Sequence, residues 1–228
     1  MRRKVEDVMT TEVVTVRRQE PFKSIVRLLE ECRISAVPVV DDRGVVIGVV
    51  SEADLLAKER YPHGRAGLST VEGLRNRTAL HKAKGVTAAE LMSSPPVTVQ
   101  LGSTVGEAAR LCAGAGVKRL PVVDGRGRLV GVVTRTDLLK VFMRQDEEIR
   151  REVAELIHPG VWASPLAVDV TVADGVVTLR GQVQRRSFVA VITRMAEAVD
   201  GVVKVERELG WDMDDTVLPP LPAAPLGR

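Results

Sequence analysis

The chain of 228 residues repeats itself at a constant offset of 83 residues, without a gap. The stretch from Val8 to Leu56 aligns with the stretch from Leu91 to Leu139, and 18 of the 49 aligned positions are identical. A unit of about fifty residues buries too little surface to be stable alone, so a repeat of this size usually packs on its copy. The repeat therefore predicts two equivalent units that pack together, and a site found in one should be sought in the other.

Each copy carries the same order of secondary-structure signals. A short β-branched run, Val13–Val16 or Val97–Val99, precedes an amphipathic helical pattern. Two apolar runs follow, separated by a turn that opens with Asp and ends with Gly, and a second helix begins near Ser51 or Thr134. Each copy is therefore predicted to fold as β-α-β-β-α.

A third unit with a different pattern follows Arg144. Asp146 can cap a predicted helix that extends through Ile157, and two alternating runs flank the turn-forming pair Asp174-Gly175. A further helix is predicted from about residue 185 to 199 and a strand from 202 to 209, which makes the unit α-β-β-α-β. The apolar stripe of the second helix is interpreted as core rather than as a partner surface, and it consists of Phe188, Ile192, Met195 and Val199.

The fold class predicted by these patterns is α+β. The first repeat is assigned to residues 5–60, a connection to 61–87, the second repeat to 88–143 and the third unit to 144–211. Residues 212–228, which contain four prolines, are expected to be a disordered tail.

Composition narrows the class of protein. With 45% hydrophobic and 28% charged residues the chain resembles ordinary globular proteins, and no stretch approaches the 18 apolar residues that span a bilayer. The basic start lacks the apolar core of a signal peptide, so a cytoplasmic protein with reduced, buried thiols at Cys32 and Cys112 is expected. The three histidines are scattered, and neither a metal-ligand spacing nor a nucleophile–base pair is visible; no catalytic residue and no metal site are predicted.

The connection is more basic than the rest of the chain. The stretch Ala57–Thr87 holds seven basic residues against two acidic ones, a local net charge of +5 compared with +3 for the whole chain. Two interpretations stay open: a solvated linker, or a patch that attracts a phosphate ligand, lipid headgroups or RNA. Nucleic acid is disfavoured as a partner because Tyr61 is the one aromatic residue available there for stacking on bases.

The segments from Ser51 to Asp54 and from Thr134 to Asp137 are the candidates for a functional site. Each follows a buried strand and precedes an apolar helical run, so each has the pattern of a capping box. The same geometry suits a nucleotide, because a helix N-terminus attracts phosphate and a nearby carboxylate can hold ribose hydroxyls. The pattern is thus compatible with a capping role alone and with a ligand site.

These paired segments resemble a tandem pair of CBS domains. The resemblance rests on Gly-Val-Val-Ser/Thr-x-x-Asp-Leu-Leu in both copies, preceded by hydrophobic-Pro-Val-Val-Asp and opened by Met9-Thr10 or Met92-Ser93. Residues 146–211 resemble a BON domain, through 174–181 and 200–202. The glycines Gly48 and Gly131 are expected to leave room for backbone to approach a flat ring.

The resemblance implies two copies packed by their sheets around a pseudo-twofold axis, with two clefts and frequent association into homodimers. Such clefts commonly hold AMP, ADP, ATP or S-adenosylmethionine, so an adenosyl ligand is expected and no further cofactor. One cleft would use Ser51, Asp54 and the backbone at Ala36 and Val37. The other would use Thr134, Asp137 and the backbone at Arg119 and Leu120, and the opening strand of the opposite repeat would close each cleft with Thr11 and Val14, or with Ser94 and Val97.

The two copies differ in charge around the shared segment. Where the first copy has Ser35, Ala36 and Glu52, the second has Lys118, Arg119 and Arg135. The cleft built on Thr134 and Asp137 is therefore predicted to hold a phosphorylated nucleotide, and the other to bind more weakly or to prefer a less charged adenosyl ligand.

The function expected from these features is regulatory and non-catalytic. The leading hypothesis is a homodimeric adenine-nucleotide sensor whose BON domain reports occupancy to a protein partner or a surface. The alternative is a ligand-independent structural adaptor that binds a membrane or phospholipid surface through the BON domain.

Overall fold

The computed structural model describes residues 3–60, 80–157 and 168–216, which fall into two units. The repeat unit comprises Lys4–Leu138, and the C-terminal unit comprises Met1–Arg3 and Leu139–Arg228. Most of the basic connection, from 61 to 79, and the predicted tail from 217 onward lie outside the described residues.

The repeat unit mixes helices and strands, which confirms the predicted α+β class. In the first copy the elements are α1 (Phe22–Glu31), β1 (Ala36–Val40), β2 (Val46–Ser51) and α2 (Glu52–Arg60). In the second copy they are α3 (Ala88–Leu91), β3 (Val99–Gln100), α4 (Val105–Ala115), β4 (Arg119–Val123), β5 (Leu129–Thr134) and α5 (Arg135–Leu139). Within each copy the last two strands pair antiparallel across a turn in which a glycine has positive φ, +78° at Gly44 and +76° at Gly127.

The opening strand of each copy is shorter than predicted. In the second copy, β3 pairs in parallel with β4 over two residues. In the first copy, the predicted strand Val13–Val16 is reduced to one parallel bridge between Val16 and Val39, because only Val16 exchanges backbone hydrogen bonds with β1. The β-branched pattern thus predicted where the opening strand pairs with the sheet but overestimated the number of residues that pair.

The two copies are related by a pseudo-twofold axis, as the resemblance to CBS domains implies. Val46 and Leu129, which are equivalent residues, donate their amides to the carbonyls of Gly127 and Gly44 at 3.1 and 3.0 Å. Val45 forms an antiparallel bridge with its own equivalent, Arg128. Apolar side chains from both copies form one cluster at this contact, made of Val40, Val46, Val123 and Leu129.

The residues that precede the opening strand of each copy, here called its leading segment, pair with the other copy. Thr10, near the start of the first copy, exchanges two backbone hydrogen bonds of 2.9 Å with Val132 of the second. Its equivalent, Ser93, exchanges bonds of 2.9 and 3.2 Å with Val49 of the first. The core of the first copy is completed by side chains from the leading segment of the second, namely Ala88, Leu91 and Met92. The first copy therefore cannot bury its core without the second.

The glycines of the shared segment serve this exchange rather than a ligand ring. A Cβ on Gly48 would overlap Met92, whose Cγ lies 2.7 Å from its position. A Cβ on Gly131 would meet Met9, with Cγ at 3.0 Å. The expectation that these glycines make room for a flat ring is wrong, because the methionine of the opposite leading segment fills that space.

The two cysteines differ in exposure, which corrects the expectation that both are buried. Cys112 lies on the core side of α4 and is buried, and burial raises the pKa of its thiol while the charge of Arg135 opposes the shift. Cys32 is the residue that ends α1, where the chain turns to solvent, and it is exposed.

The C-terminal unit has the predicted α-β-β-α-β order. Its elements are α6 (Asp146–Ile157), β6 (Val168–Ala173), β7 (Val176–Arg185), α7 (Arg186–Glu197) and β8 (Lys204–Met213). The sheet order is β6-β7-β8, with β6 antiparallel and β8 parallel to β7. Phe188 and Ile192 of α7 contribute to the core, as predicted, and so does Val199, two residues after the helix ends; Met195 is half-buried.

Asp146 has a role that the sequence did not show. It is the first helical residue of α6 rather than a cap, and its carboxylate accepts the backbone amides of Asp174 at 2.7 Å and Gly175 at 2.9 Å. These two residues form the β6–β7 turn with positive φ values of 50° and 73°. The carboxylate thus joins the start of α6 to the tip of the hairpin.

Ordered structure continues past residue 212, where the tail was expected to begin. Strand β8 extends through Met213. Asp214 then accepts a hydrogen bond of 2.6 Å from Arg186, and Asp215 accepts bonds from the amide and hydroxyl of Ser187. Among the described helices, none combines the length and the apolar content needed to cross a membrane.

The contact between Gly48 and Met92 can be tested by adding one methyl group. Gly48→Ala should destabilise the repeat unit by about 1–3 kcal/mol, because the new Cβ overlaps a packed side chain. Gly114→Ala is the matched control: no atom lies within 4 Å of its Cβ position in α4, so it should stabilise by about 0.5–1 kcal/mol. Chemical denaturation measures both, and an unchanged midpoint for Gly48→Ala would contradict the packing described.

The contact of Asp146 with the hairpin turn predicts a stability effect in the C-terminal unit. Asp146→Ala removes two hydrogen bonds to a carboxylate and should cost about 2 kcal/mol. Glu147→Ala is the control, since it removes another acid from the same first turn whose side chain pairs with Arg150 at the surface; its effect should stay within about 1 kcal/mol. Equal losses for both variants in thermal denaturation would show that the helix dipole, rather than the turn contact, is responsible.

Candidate functional site

A cavity of about 280 Å³ lies in the repeat unit beside the shared Ser-x-x-Asp segment of the first copy. One wall is the beginning of β1 and of α2, and the opposite wall comes from the second copy. The lining residues are Ser35, Ala36, Val49 and 51–54 of the first copy, with Ser93, 95–97 and 116–119 of the second. Because both copies contribute, the cavity exists only in the packed pair.

In both copies the aspartate of the Ser/Thr-x-x-Asp segment accepts hydrogen bonds from the first residue, and in the second copy the bond is reciprocal, as in a capping box. Asp54 accepts hydrogen bonds from the Ser51 amide at 2.8 Å and from the Ser51 hydroxyl at 2.6 Å. Asp137 accepts the equivalent bonds from Thr134 at 3.0 and 2.6 Å, and the Asp137 amide donates back to the threonine hydroxyl at 3.2 Å. The complete capping pattern is therefore present in the second copy, and its carboxylate half in the first. At the first copy it coincides with the cavity, since Ser51 and Asp54 both line it.

A buried lysine that was assigned to the connection reaches this segment. The ammonium of Lys82 donates to Asp54 Oδ1 and, at 2.7 Å, to Ser93 Oγ. Lys82 is only 8% exposed and the Asp54 side chain 12%. Nothing in the local sequence distinguishes Lys82 from the other basic residues of the connection, because its partners come from α2 and from the leading segment of the second copy.

Lys118 and Arg119, which were predicted to serve the cleft of the second copy, line the cavity of the first copy. Arg119 donates to the carbonyl of Ala36 at 3.1 Å and to the hydroxyl of Ser35. The pseudo-twofold axis is the cause, because it places Arg119 beside its own equivalent, Ala36. Burial lowers the pKa of the Arg119 guanidinium, and the charge of Glu52 opposes the shift.

The other residues predicted for the second cleft do not all line one cavity. Thr134 lines a shallower depression of about 480 Å³ together with Glu52 and Arg119. Arg135 donates to the carbonyl of Val117 in its own copy at 3.1 Å. The side chain of Leu120 is fully buried, so only its backbone could meet a ligand.

Of the residues expected to close the clefts, some line the cavity and others make different contacts. Val97 lines the cavity of the first copy, as its place in the opposite repeat predicts, whereas Ser94 donates to the carbonyl of Ile47 at 3.0 Å. Val14 packs against the core of the first copy and Thr11 is exposed. Val37 is fully buried in that core.

Two of the seven basic residues in the stretch Ala57–Thr87 are engaged inside the repeat unit. Lys82 pairs with Asp54, and Lys58 donates to the carbonyls of Ala83 and Gly85 at 3.2 and 3.1 Å. The Lys58 ammonium also lies 5.2 Å from the centre of the Phe22 ring. These two charges therefore do not belong to a solvent-facing patch. Within the described part of the chain, no three His, Cys, Asp or Glu side chains are grouped as a metal site would require.

The chain matches known families over most of its length. Residues 5–60 and 88–144 match the CBS domain, and residues 145–212 match the BON domain. A CBS domain-containing protein of Dictyostelium discoideum is 32% identical over 146 residues, which cover 64% of this chain and 94% of that protein. The chloroplast CBS domain-containing protein CBSX2 of Arabidopsis thaliana is 31% identical over 136 residues, and the match spans 55% of each protein.

A solved structure supports the same relationship. The crystal structure of CBSX2 in complex with AMP is similar to this chain with a TM-score of 0.54 and 30% identity, and it covers 61% of this chain and 96% of that one. The 61% of this chain that is matched agrees with the extent of the repeat unit, Lys4–Leu138. The chain belongs to the CBS domain family, as a tandem pair of CBS domains followed by a BON domain.

Proposed function

We propose that the CBS pair binds an adenine nucleotide in the cavity beside Ser51 and Asp54 and that this occupancy regulates a partner. The observation that carries the proposal is the cavity itself, which both copies line and which contains the shared segment. The similarity to CBSX2, whose structure was solved in complex with AMP, supports an adenine nucleotide as the ligand.

The cavity has the composition of a small-molecule site. Its volume of about 280 Å³ is close to the lower end of the roughly 300–1,000 Å³ range of ligand pockets. Val49, Pro95 and Val97 provide an apolar surface on which a purine ring can pack. Ser51 and Asp54 provide polar groups that can fix the orientation of a ligand, as such sites require.

The positive side chains favour a ligand with a phosphate. Lys118 and Arg119 both line the cavity. A guanidinium or an ammonium forms short, strong hydrogen bonds with phosphate oxygens, especially where water is partly excluded. We therefore place the phosphorylated nucleotide at the first copy, where these two cations lie. Occupancy of the second cleft, at Thr134 and Asp137, stays a prediction.

A regulatory role follows more readily from this site than catalysis. The Asp54 carboxylate is held by Ser51 and Lys82, and Arg119 is held by Ala36 and Ser35. Groups that are fixed in internal bonds suit binding, whereas general acid–base catalysis needs a group that is free to exchange a proton with a substrate. We infer that the protein is a ligand-responsive regulator and not an enzyme.

The output is proposed to pass through the BON domain and through self-association of the CBS pair. Directly before the BON domain, Phe142 and Met143 are 54% and 80% exposed and offer apolar contact area to a protein partner. In the repeat unit, Leu56 on α2 is 62% exposed, which supports a homodimer contact on that helix. Both assignments are part of the proposal.

Filling the cavity should abolish ligand binding without unfolding the protein. Ala53 lines the cavity from an exposed position on α2, so Ala53→Trp should occupy the ligand volume and leave the core intact. At about 100 times its Kd, AMP should raise the melting temperature of the wild-type chain by roughly 5 °C or more, and this shift should vanish in the variant.

Thr136→Trp is the matched control, since Thr136 is the equivalent of Ala53 at the 83-residue offset and is also exposed. It should keep the full shift with AMP. Loss of the shift in Thr136→Trp but not in Ala53→Trp would move the site to the second cleft. Unchanged melting of the wild-type chain with AMP, ADP, ATP and S-adenosylmethionine would reject the proposed function in favour of a ligand-independent adaptor.

A further inference from the structure

We propose that Lys82, which contacts the cavity-lining residues Asp54 and Ser93, determines ligand specificity, because it competes with the ribose hydroxyls of a ligand for the Asp54 carboxylate. The inference rests on the proposed function, since it concerns the ligand of the same cavity. Lys82 lies outside both repeats, and its ion pair with Asp54 is an interaction that ligand binding has to break.

The hydrogen bonds of Asp54 leave little room for a ligand. A carboxylate offers about four acceptor positions on its two oxygens. Oδ2 accepts the amide and the hydroxyl of Ser51. Oδ1 accepts the ammonium of Lys82 and lies 3.5 Å from the hydroxyl of Ser93. A ribose diol that donates both of its hydroxyls to this carboxylate therefore competes with Lys82 for Oδ1.

Burial makes displacement of Lys82 costly. Lys82 is 8% exposed and the Asp54 side chain 12%, so water screens the pair poorly. Removing one partner from a buried ion pair leaves the other charge without compensation, which disfavours the separated state strongly. A neutral diol replaces the bond to Asp54 but offers Lys82 no counter-charge. The pair therefore lowers the affinity for uncharged nucleosides.

The segment that carries Lys82 is held in place. Residues 80–84 are helical, and Lys58 from α2 donates to the carbonyls of Ala83 at 3.2 Å and Gly85 at 3.1 Å. These bonds close the end of that helical segment, where backbone carbonyls lack partners within the helix. Because α2 also carries Asp54, the lysine and its carboxylate are positioned by the same helix.

The test measures binding of two nucleosides to the full-length chain by titration calorimetry. Adenosine has the ribose diol, and 2′,3′-dideoxyadenosine lacks it. Lys82→Met keeps the length of the side chain but removes its charge, and it should tighten adenosine binding about tenfold while leaving 2′,3′-dideoxyadenosine unchanged. Lys82→Gln serves the same purpose if methionine is not tolerated there.

Lys84→Met is the matched control, because Lys84 lies two residues away in the same segment and is exposed. It removes the same charge without touching Asp54, so neither nucleoside should bind differently. Weaker or unchanged adenosine binding in Lys82→Met would overturn the inference. An equal gain for both nucleosides would also overturn it, because the effect would then be general electrostatics rather than competition for Asp54.

A measurement without ligand separates this inference from the proposed function. Asp54→Asn and Lys82→Met should each lower the melting temperature, and the double variant should lose less than the sum of the two losses, as coupled neighbours do. Additive losses would show that the two side chains are not paired, and the inference would fail whatever the ligand. Coupled losses with no nucleoside binding to the wild type or to Lys82→Met would reject the ligand site and the competition together.

Discussion

The exchange of leading segments between the two CBS copies is the contact on which the repeat unit depends. Thr10 pairs with Val132 and Ser93 pairs with Val49, and a methionine from each leading segment packs on the glycine of the opposite strand. The first copy obtains part of its core in this way, from Ala88, Leu91 and Met92. A unit of about fifty residues would otherwise expose much of its apolar surface. The duplication is thus a condition for stability, and it also creates the space between the copies.

The cavity and its charges follow from that arrangement. Because the leading segment of the second copy crosses to the first, Ser93 and Val97 face the Ser51–Asp54 segment. Because Arg119 and its equivalent Ala36 both lie close to the axis, Arg119 meets Ala36 and contributes its charge to the opposite copy. The same crossing brings Lys82 to Asp54. The cavity and the Lys82–Asp54 ion pair that competes with a ligand therefore both result from the same chain topology. Lys82 belongs to the segment that joins the copies, so this segment contacts the cavity-lining residue Asp54.

Local patterns predicted the elements well, since their signals lie within a few residues. The helix that was predicted to extend through Ile157 ends there, and the Asp174-Gly175 turn has the positive φ values that its residue types favour. The prediction that Gly48 admits a flat ring was wrong because the space is occupied by Met92, 44 residues away in the chain. The opening strand at Val16 was overestimated because β propensity does not determine how many residues find a partner.

The sequence by itself determined the duplicated α+β fold, the family and the segment that caps α2 and α5, because periodicity, turn residues and the 83-residue offset are properties of neighbouring residues or of aligned copies. It showed that the second copy carries more positive charge, but it could not show where that charge is used. Only the tertiary structure decided that Lys118 and Arg119 face the cavity of the first copy and that Lys82 pairs with Asp54. The physical reason is that a pseudo-twofold axis and an exchanged segment bring together side chains whose partners lie 28 residues away, as for Lys82, or 83, as for Arg119.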